Sequence, residues 1–233
     1  MTNEYSYTIF PEDLDGGGLA TIPSLYRTLI NSVGLNIRRE GFGIDVMEQK
    51  GLSWVLARCA VEIKSRPRLY DKISIQVWGG CTKGLCHERC VKILSEDGGL
   101  LGNGITEWCV IDKASRKPVT MEIAEECSGE LPCLNPRRLK SFLPQNLIER
   151  ITGYCECDFN GHLNNSKYVE MFFDQLPLGH ASSQKPLRLD VNFKKEIPCG
   201  VKTTSGVCEN ENGGYDFCMF SGNEVACCAS LNF

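Results

Sequence analysis

Apolar positions along this chain change period several times, and each change marks an element. Ile22, Leu25, Tyr26, Leu29, Ile30 and Val33 recur at i, i+3, i+4, i+7, i+8 and i+11, which predicts one long helix. Pro23 suits the first turn of that helix. A strand-like run over residues 5–10 and an Asp- and Gly-rich turn over residues 13–18 precede it. After a loop the period falls to two. Strands are predicted over 54–63, around Ile73, Ile75 and Val77, and over 88–94 and 102–111, with Asp97-Gly98-Gly99 as a hairpin turn. The order then repeats. A strand over 148–157 and a turn over 158–162 lead to a helix carrying Tyr168, Val169, Phe172 and Leu176 on one face. Asn164, Asn165 or Ser166 can cap its start. Strands follow over 188–193, 202–208, 215–221 and 224–232.

A strand, one long helix and an antiparallel meander, present twice, predict two fused copies of one α+β unit. One helix per sheet of about five strands is the pattern of the hotdog fold, a curled antiparallel sheet around a long central helix. The expected architecture is therefore a tandem (double) hotdog. Residues 1–125 would form the first unit and 147–233 the second. Residues 126–146, with Pro132, Pro136 and Pro144, would form a linker. Such a chain makes its own pseudo-dimer, as a monomer or within a homodimer. The copies match weakly by residue. Residues 13–17 lie over 158–162, and Arg58, Val61, Ile63 and Lys64 lie over Arg188, Val191, Phe193 and Lys194. On this match Gly17 stands where the second copy has His162, and Ala20 where it has Asn165. Only the second copy keeps its polar groups.

The composition narrows the function. The chain has 233 residues, is 42 % hydrophobic and carries a formal net charge of −4. Its pI near 5.5 argues against a nucleic-acid binder as a whole. No segment has the order of a secretion signal, and no apolar stretch approaches the roughly 20 residues of a membrane span. A cytoplasmic protein is expected. In that setting the 14 cysteines read as reduced thiols, several of them filling small apolar places in periodic runs. Cys81, Cys86, His87 and Cys90 lack the paired C-x2-C knuckles of a structural zinc site, so no metal and no cofactor is expected.

The candidate chemistry sits in the second turn. Asp158, Asn160 and His162 fall at i, i+2 and i+4 immediately before a helix, whose N-terminus offers unpaired N–H groups and a positive dipole end. These groups can polarise a carbonyl. Glu196, at the end of a later strand, can supply a carboxylate. The plainer readings are a turn that only caps a helix and an exposed acid beside two lysines.

The segment Asp158-Phe159-Asn160-Gly161-His162-Leu163-Asn164-Asn165-Ser166-Lys167-Tyr168 resembles the D-x-N-x-H-x-N-N-x-x-Y segment of the acyl-acyl carrier protein thioesterases. Residues 54–58, and residues 107–112 followed by Lys117-Pro118, resemble further parts of that family. The resemblance implies a double hotdog that hydrolyses fatty acyl groups from acyl carrier protein. It implies catalytic roles for Asp158, Asn160, His162 and Glu196. Plant members have a Cys after that Glu; here Ile197 excludes such a nucleophile. With no transit-type leader, the chain is closer to the bacterial type. An acyl slot would lie in the first unit, around Ile22, Leu25, Leu29 and Trp54, with Asn165 a further substrate contact. Arg137, Arg138 and Lys140, or Lys64, Arg66 and Arg68, would meet the acidic carrier, although such runs are commonly just solvated. Two alternatives stand beside this: an acyl-CoA thioesterase on the same fold, and a non-catalytic acyl-binding hotdog module.

Overall fold

A computed structural model describes residues 2–121 and 131–233, with only the backbone described for Lys83. Residues 122–130, where the first expected unit ends and the linker begins, lie outside the described residues. The chain divides into two compact units, Met1–Pro136 and Arg137–Phe233.

The first unit contains β1 (Asn3–Thr8), α1 (Ile22–Ile37), α2 (Ile44–Gln49), β2 (Leu52–Ile63), β3 (Lys72–Lys83), β4 (Cys86–Ser95), β5 (Leu100–Asp112) and the short β6 (Pro118–Val119). Its strands pair antiparallel in the order β1-β3-β4-β5-β2, with β6 on β5. Thr21 starts α1 by accepting the Ser24 N–H on its hydroxyl at 3.1 Å. The helix packs on β3 and β4 and buries Ile22, Leu25, Tyr26, Leu29 and Val33, each worth about 1.5–3 kcal/mol of apolar burial. These are five of the six positions the helical period selects; the sixth, Ile30, is half-buried.

The second unit repeats the plan with β7 (Ile148–Ile151), α3 (Asn165–Phe173), α4 (Leu178–Ala181), β8 (Leu187–Phe193), β9 (Lys202–Glu209), β10 (Tyr215–Ser221) and β11 (Glu224–Asn232). Its antiparallel order is β8-β11-β10-β9-β7. Strand by strand this matches the first unit, with β8 in the place of β2 and β7 in the place of β1. Phe172 of α3 stacks on Phe217 of β10 at 5.2 Å. The α+β tandem hotdog expected from the sequence is the fold observed. No helix among the described residues is long and apolar enough to cross a membrane.

Four local expectations change. The strand expected over 148–157 ends at Ile151, and Tyr154–Glu156 form a tight 3-10 turn. The cause is local: the Glu156 carboxylate folds back to accept the Gly153 N–H at 2.8 Å. Leu176 lies beyond α3, which stops at Phe173, and is buried in the turn that follows. The loop after α1 holds α2, which starts at Ile44 with Gly43 as its N-cap. Residues 137–142, expected within the linker, run beside β8. Asp190 accepts the Arg137 N–H at 2.9 Å, and Asn192 accepts the Leu139 N–H at 2.9 Å while donating to the Arg137 carbonyl at 2.8 Å.

Candidate active site

The turn before α3 is held by its own first residue. Asp158 N–H donates to the His162 carbonyl at 2.8 Å, and Gly161 N–H donates to the Asp158 carbonyl at 2.9 Å. Gly161 takes φ of 75°, a left-handed conformation that favours glycine. The Asp158 Oδ1 accepts two amides, Asn160 N–H at 2.9 Å and His162 N–H at 3.3 Å. Local hydrogen bonding of this kind is what Asp favours in turns. Asn164 then caps α3, its Oδ1 accepting the N–H and the hydroxyl of Ser166, both at 2.9 Å.

This turn is sewn to the segment after β8. His162 pairs with Pro198 as an antiparallel bridge. Leu163 N–H donates to the Ile197 carbonyl at 2.8 Å, and Cys199 N–H to the Gly161 carbonyl at 2.9 Å. The stitching delivers Glu196 to His162. Its Oε2 lies 3.6 Å from the imidazole Nδ1, with side chains 35 % and 27 % exposed respectively. Asp158, His162 and Glu196 are therefore gathered at one place, and Asn160 sits inside the same turn. At 3.6 Å the carboxylate faces Nδ1 just outside hydrogen-bond distance, from which a small closure would orient the ring and leave Nε2 for a reacting group.

Thr152 supports this arrangement and carries no sequence signal. It is buried, and its hydroxyl donates to the Pro198 carbonyl at 2.8 Å and accepts the Val201 N–H at 3.1 Å. Tyr168, the last residue of the motif, is a core residue. Burial pushes its hydroxyl well above the ordinary range, and its ring meets Phe193 edge-on at 5.4 Å.

The first unit builds the same turn without the chemistry, and it corrects the match read from sequence. Asp15 Oδ1 accepts Gly17 N–H at 2.8 Å and Leu19 N–H at 3.3 Å, and Asp15 N–H donates to the Leu19 carbonyl at 2.9 Å. Leu19 bridges Arg68 as His162 bridges Pro198. Asp15, not Asp13, is thus the counterpart of Asp158; Gly17 matches Asn160 and Leu19 matches His162. The register slips by two because Asp13, Asp15 and the run Gly16-Gly17-Gly18 offer two equivalent alignments. The match of Arg58 to Arg188 needs no shift, and extending it places Arg66 opposite Glu196. Arg66, with a side chain only 4 % exposed, pairs with Asp15 and donates to the Ala20 carbonyl at 2.6 Å. Burial raises the Asp15 carboxyl, but hydrogen bonds from Arg66, Leu19 and Gly17 outweigh it and hold the group below its ordinary range. Where the second unit has a His–Glu pair, the first has an internal ion pair and a leucine.

The remaining expected residues are dispersed. Ile22, Leu25 and Leu29 belong to the core of the first unit. Trp54 is half-buried, donating from Nε1 to the Phe42 carbonyl at 2.9 Å and meeting His87 edge-on at 5.6 Å. Asn165 is half-buried as the first residue of α3. Arg138 and Lys140 are exposed, whereas Arg137 is paired with the fully buried Asp190 at 2.8 Å.

The chain is matched by the models of the acyl-ACP thioesterase N-terminal domain, over residues 2–129, and of the acyl-ACP thioesterase C-terminal domain, over residues 147–221. It is 26 % identical over 178 residues to the chloroplastic palmitoyl-acyl carrier protein thioesterase of Gossypium hirsutum, covering 69 % of this chain and 42 % of that protein. It is 23 % identical over 211 residues to the chloroplastic dodecanoyl-[acyl-carrier-protein] hydrolase of Cinnamomum camphora, covering 82 % of this chain and 54 % of that protein. The chain thus spans about half the length of these curated relatives. An acyl-ACP thioesterase from Bacteroides thetaiotaomicron VPI-5482 superposes with a TM-score of 0.89 at 26 % identity, over 100 % of this chain and 97 % of that one. The 12:0-ACP thioesterase from Umbellularia californica, at 15 % identity, shares the fold with a TM-score of 0.83 over 99 % of this chain and 96 % of that one. Two domain models matched in order along one chain, each over a unit with its own helix and sheet, show that it belongs to the acyl-ACP thioesterase family.

Proposed function

We propose that this chain hydrolyses the thioester of fatty acyl-acyl carrier protein and releases free fatty acid. The observation that carries this reading is the His162–Glu196 pair beside the N-terminus of α3. In the proposed reaction the positive N-terminal end of the α3 dipole polarises the thioester carbonyl, since the Ser166 and Lys167 N–H groups are already taken by Asn164. Asn160 positions the substrate or the water. Glu196 holds the imidazole through Nδ1, and Nε2 takes a proton from the attacking water. The tetrahedral intermediate then collapses, the thiol leaves with a proton, and a carboxylic acid remains. Asp158 acts mainly through the turn, since one of its oxygens already accepts two amides.

The acyl chain is assigned to the first unit, around Ile22, Leu25, Leu29 and Trp54, and Asn165 is a separate candidate substrate contact in the second unit. Arg138 and Lys140, exposed and cationic, are the docking candidates for an acidic carrier. Arg137 serves that role less well, because its guanidinium is held against the buried Asp190, a carboxylate it shares with Arg188.

The test is turnover by the intact chain against acyl-carrier-protein and acyl-CoA thioesters of graded chain length. Faster hydrolysis of the carrier-protein series at equal chain length is expected. Equal or faster hydrolysis of the CoA series would move the protein to acyl-CoA substrates. Binding without turnover would make it an acyl-binding module.

A further inference from the structure

Two pairs of cysteines face one another across neighbouring strands, outside the site described above. Cys86 on β4 stands opposite Cys109 on β5, with sulfurs 2.9 Å apart. Cys218 on β10 stands opposite Cys228 on β11, with sulfurs 3.2 Å apart. Directly opposed residues of an antiparallel ladder have Cα atoms about 4.5–5.5 Å apart. That lies inside the roughly 4.4–6.8 Å over which a disulfide forms without backbone movement. From contact, each pair needs a sulfur shift of about 1 Å to reach bonding distance.

The pairs differ in access. Cys218 and Cys228 are buried, whereas Cys86 and Cys109 are only partly covered. Cys86 also opens β4 directly after the β3–β4 turn, where Gly84 has φ of 65° and Leu85 is exposed. A small reagent can approach from this end of the hairpin.

We propose that Cys86 and Cys109 form a redox-active dithiol, a thiol–disulfide exchange site for low-molecular-weight disulfides that is separate from the hydrolytic centre. The Cys86 thiolate attacks one sulfur of the reagent, forming a mixed disulfide and expelling the first reagent thiolate. Cys109 then loses its proton and attacks the Cys86 sulfur. The Cys86–Cys109 bond forms, the second reagent thiolate leaves, and both leaving groups end as thiols. Two protein thiols are oxidised and one reagent disulfide is reduced. Burial, and then the adjacent Cys86 thiol, push Cys109 up to about 12. This suits Cys109 to the second, intramolecular step, where proximity compensates for a small thiolate fraction.

The second pair is an internal control, since it has the same opposition without the access. The folded chain is incubated with glutathione disulfide, trapped with a thiol alkylating agent and digested without reduction. A peptide linking Cys86 to Cys109 is expected, forming at least about tenfold faster than any link between Cys218 and Cys228. Cys109→Ser should stop at a mixed disulfide on Cys86. Unfolding before oxidation should erase the difference between the pairs. No Cys86–Cys109 link in the folded wild-type chain would overturn the proposal, as would a Cys218–Cys228 link forming equally fast. The readout is mass, so it stands whether or not the chain hydrolyses thioesters.

Discussion

At the scale of single residues, the two carboxylates at the site do different work. Asp158 spends one oxygen on two amides of its own turn, while Glu196 turns an oxygen toward the imidazole of His162. Glu196→Gln should therefore lower kcat by about 10²–10⁴-fold with the fold intact, as read by steady-state kinetics beside circular dichroism. Asp158→Asn keeps an oxygen acceptor for the two amides and should retain most turnover. Single turnover in ¹⁸O-labelled water checks the same point: label should appear in the fatty acid, and label in Asp158 would mean direct attack through an anhydride. The Asp-x-Asn-x-His spacing was legible in the sequence because all three residues belong to one turn. The partnership of His162 with Glu196 was legible only as a possibility, because it depends on bridges between segments distant in the chain. Thr152 was invisible, since a lone threonine near a strand end announces nothing about the carbonyl it will meet.

At the scale of elements, the same turn is built twice and stabilised in two ways. In the first unit Arg66 fills the place of Glu196 and neutralises Asp15. Arg66→Met should destabilise the chain by about 3 kcal/mol at neutral pH, by leaving a partly buried carboxylate without its cation. The sign with pH follows from the depressed Asp15 carboxyl. Its contribution is present above the ordinary carboxylate range and is lost as pH falls through the folded-state value. Urea unfolding across the acid range should thus show wild type and Arg66→Met converging as the pH drops. A constant gap would mean that Arg66 acts through its packing and its hydrogen bonds to the Ala20 and Leu19 carbonyls, not through the Asp15 charge. The apolar period located α1 and most strands because burial sets that period. It extended β7 too far because the Glu156 side chain, not the pattern, ends the extended run. It placed the two turns out of register because a glycine run fits two alignments equally well.

At the scale of the molecule, repetition was the most legible feature. Strand, helix and meander recur because each sheet needs one apolar helix face to cover it, and that requirement writes the same pattern into both halves. What repetition conceals is the difference between the two turns, which rests on a few exchanges: leucine for histidine at 19 and 162, arginine for glutamate at 66 and 196. The proposed hydrolysis depends on the second of these settings. Its most direct test is kcat/KM of the intact chain on a long-chain acyl-acyl carrier protein, for wild type and for His162→Ala. Hydrolysis by wild type and a loss of about 10³-fold or more in the variant are expected, with unchanged circular dichroism. Equal rates in the two proteins, or no turnover by wild type, would contradict it.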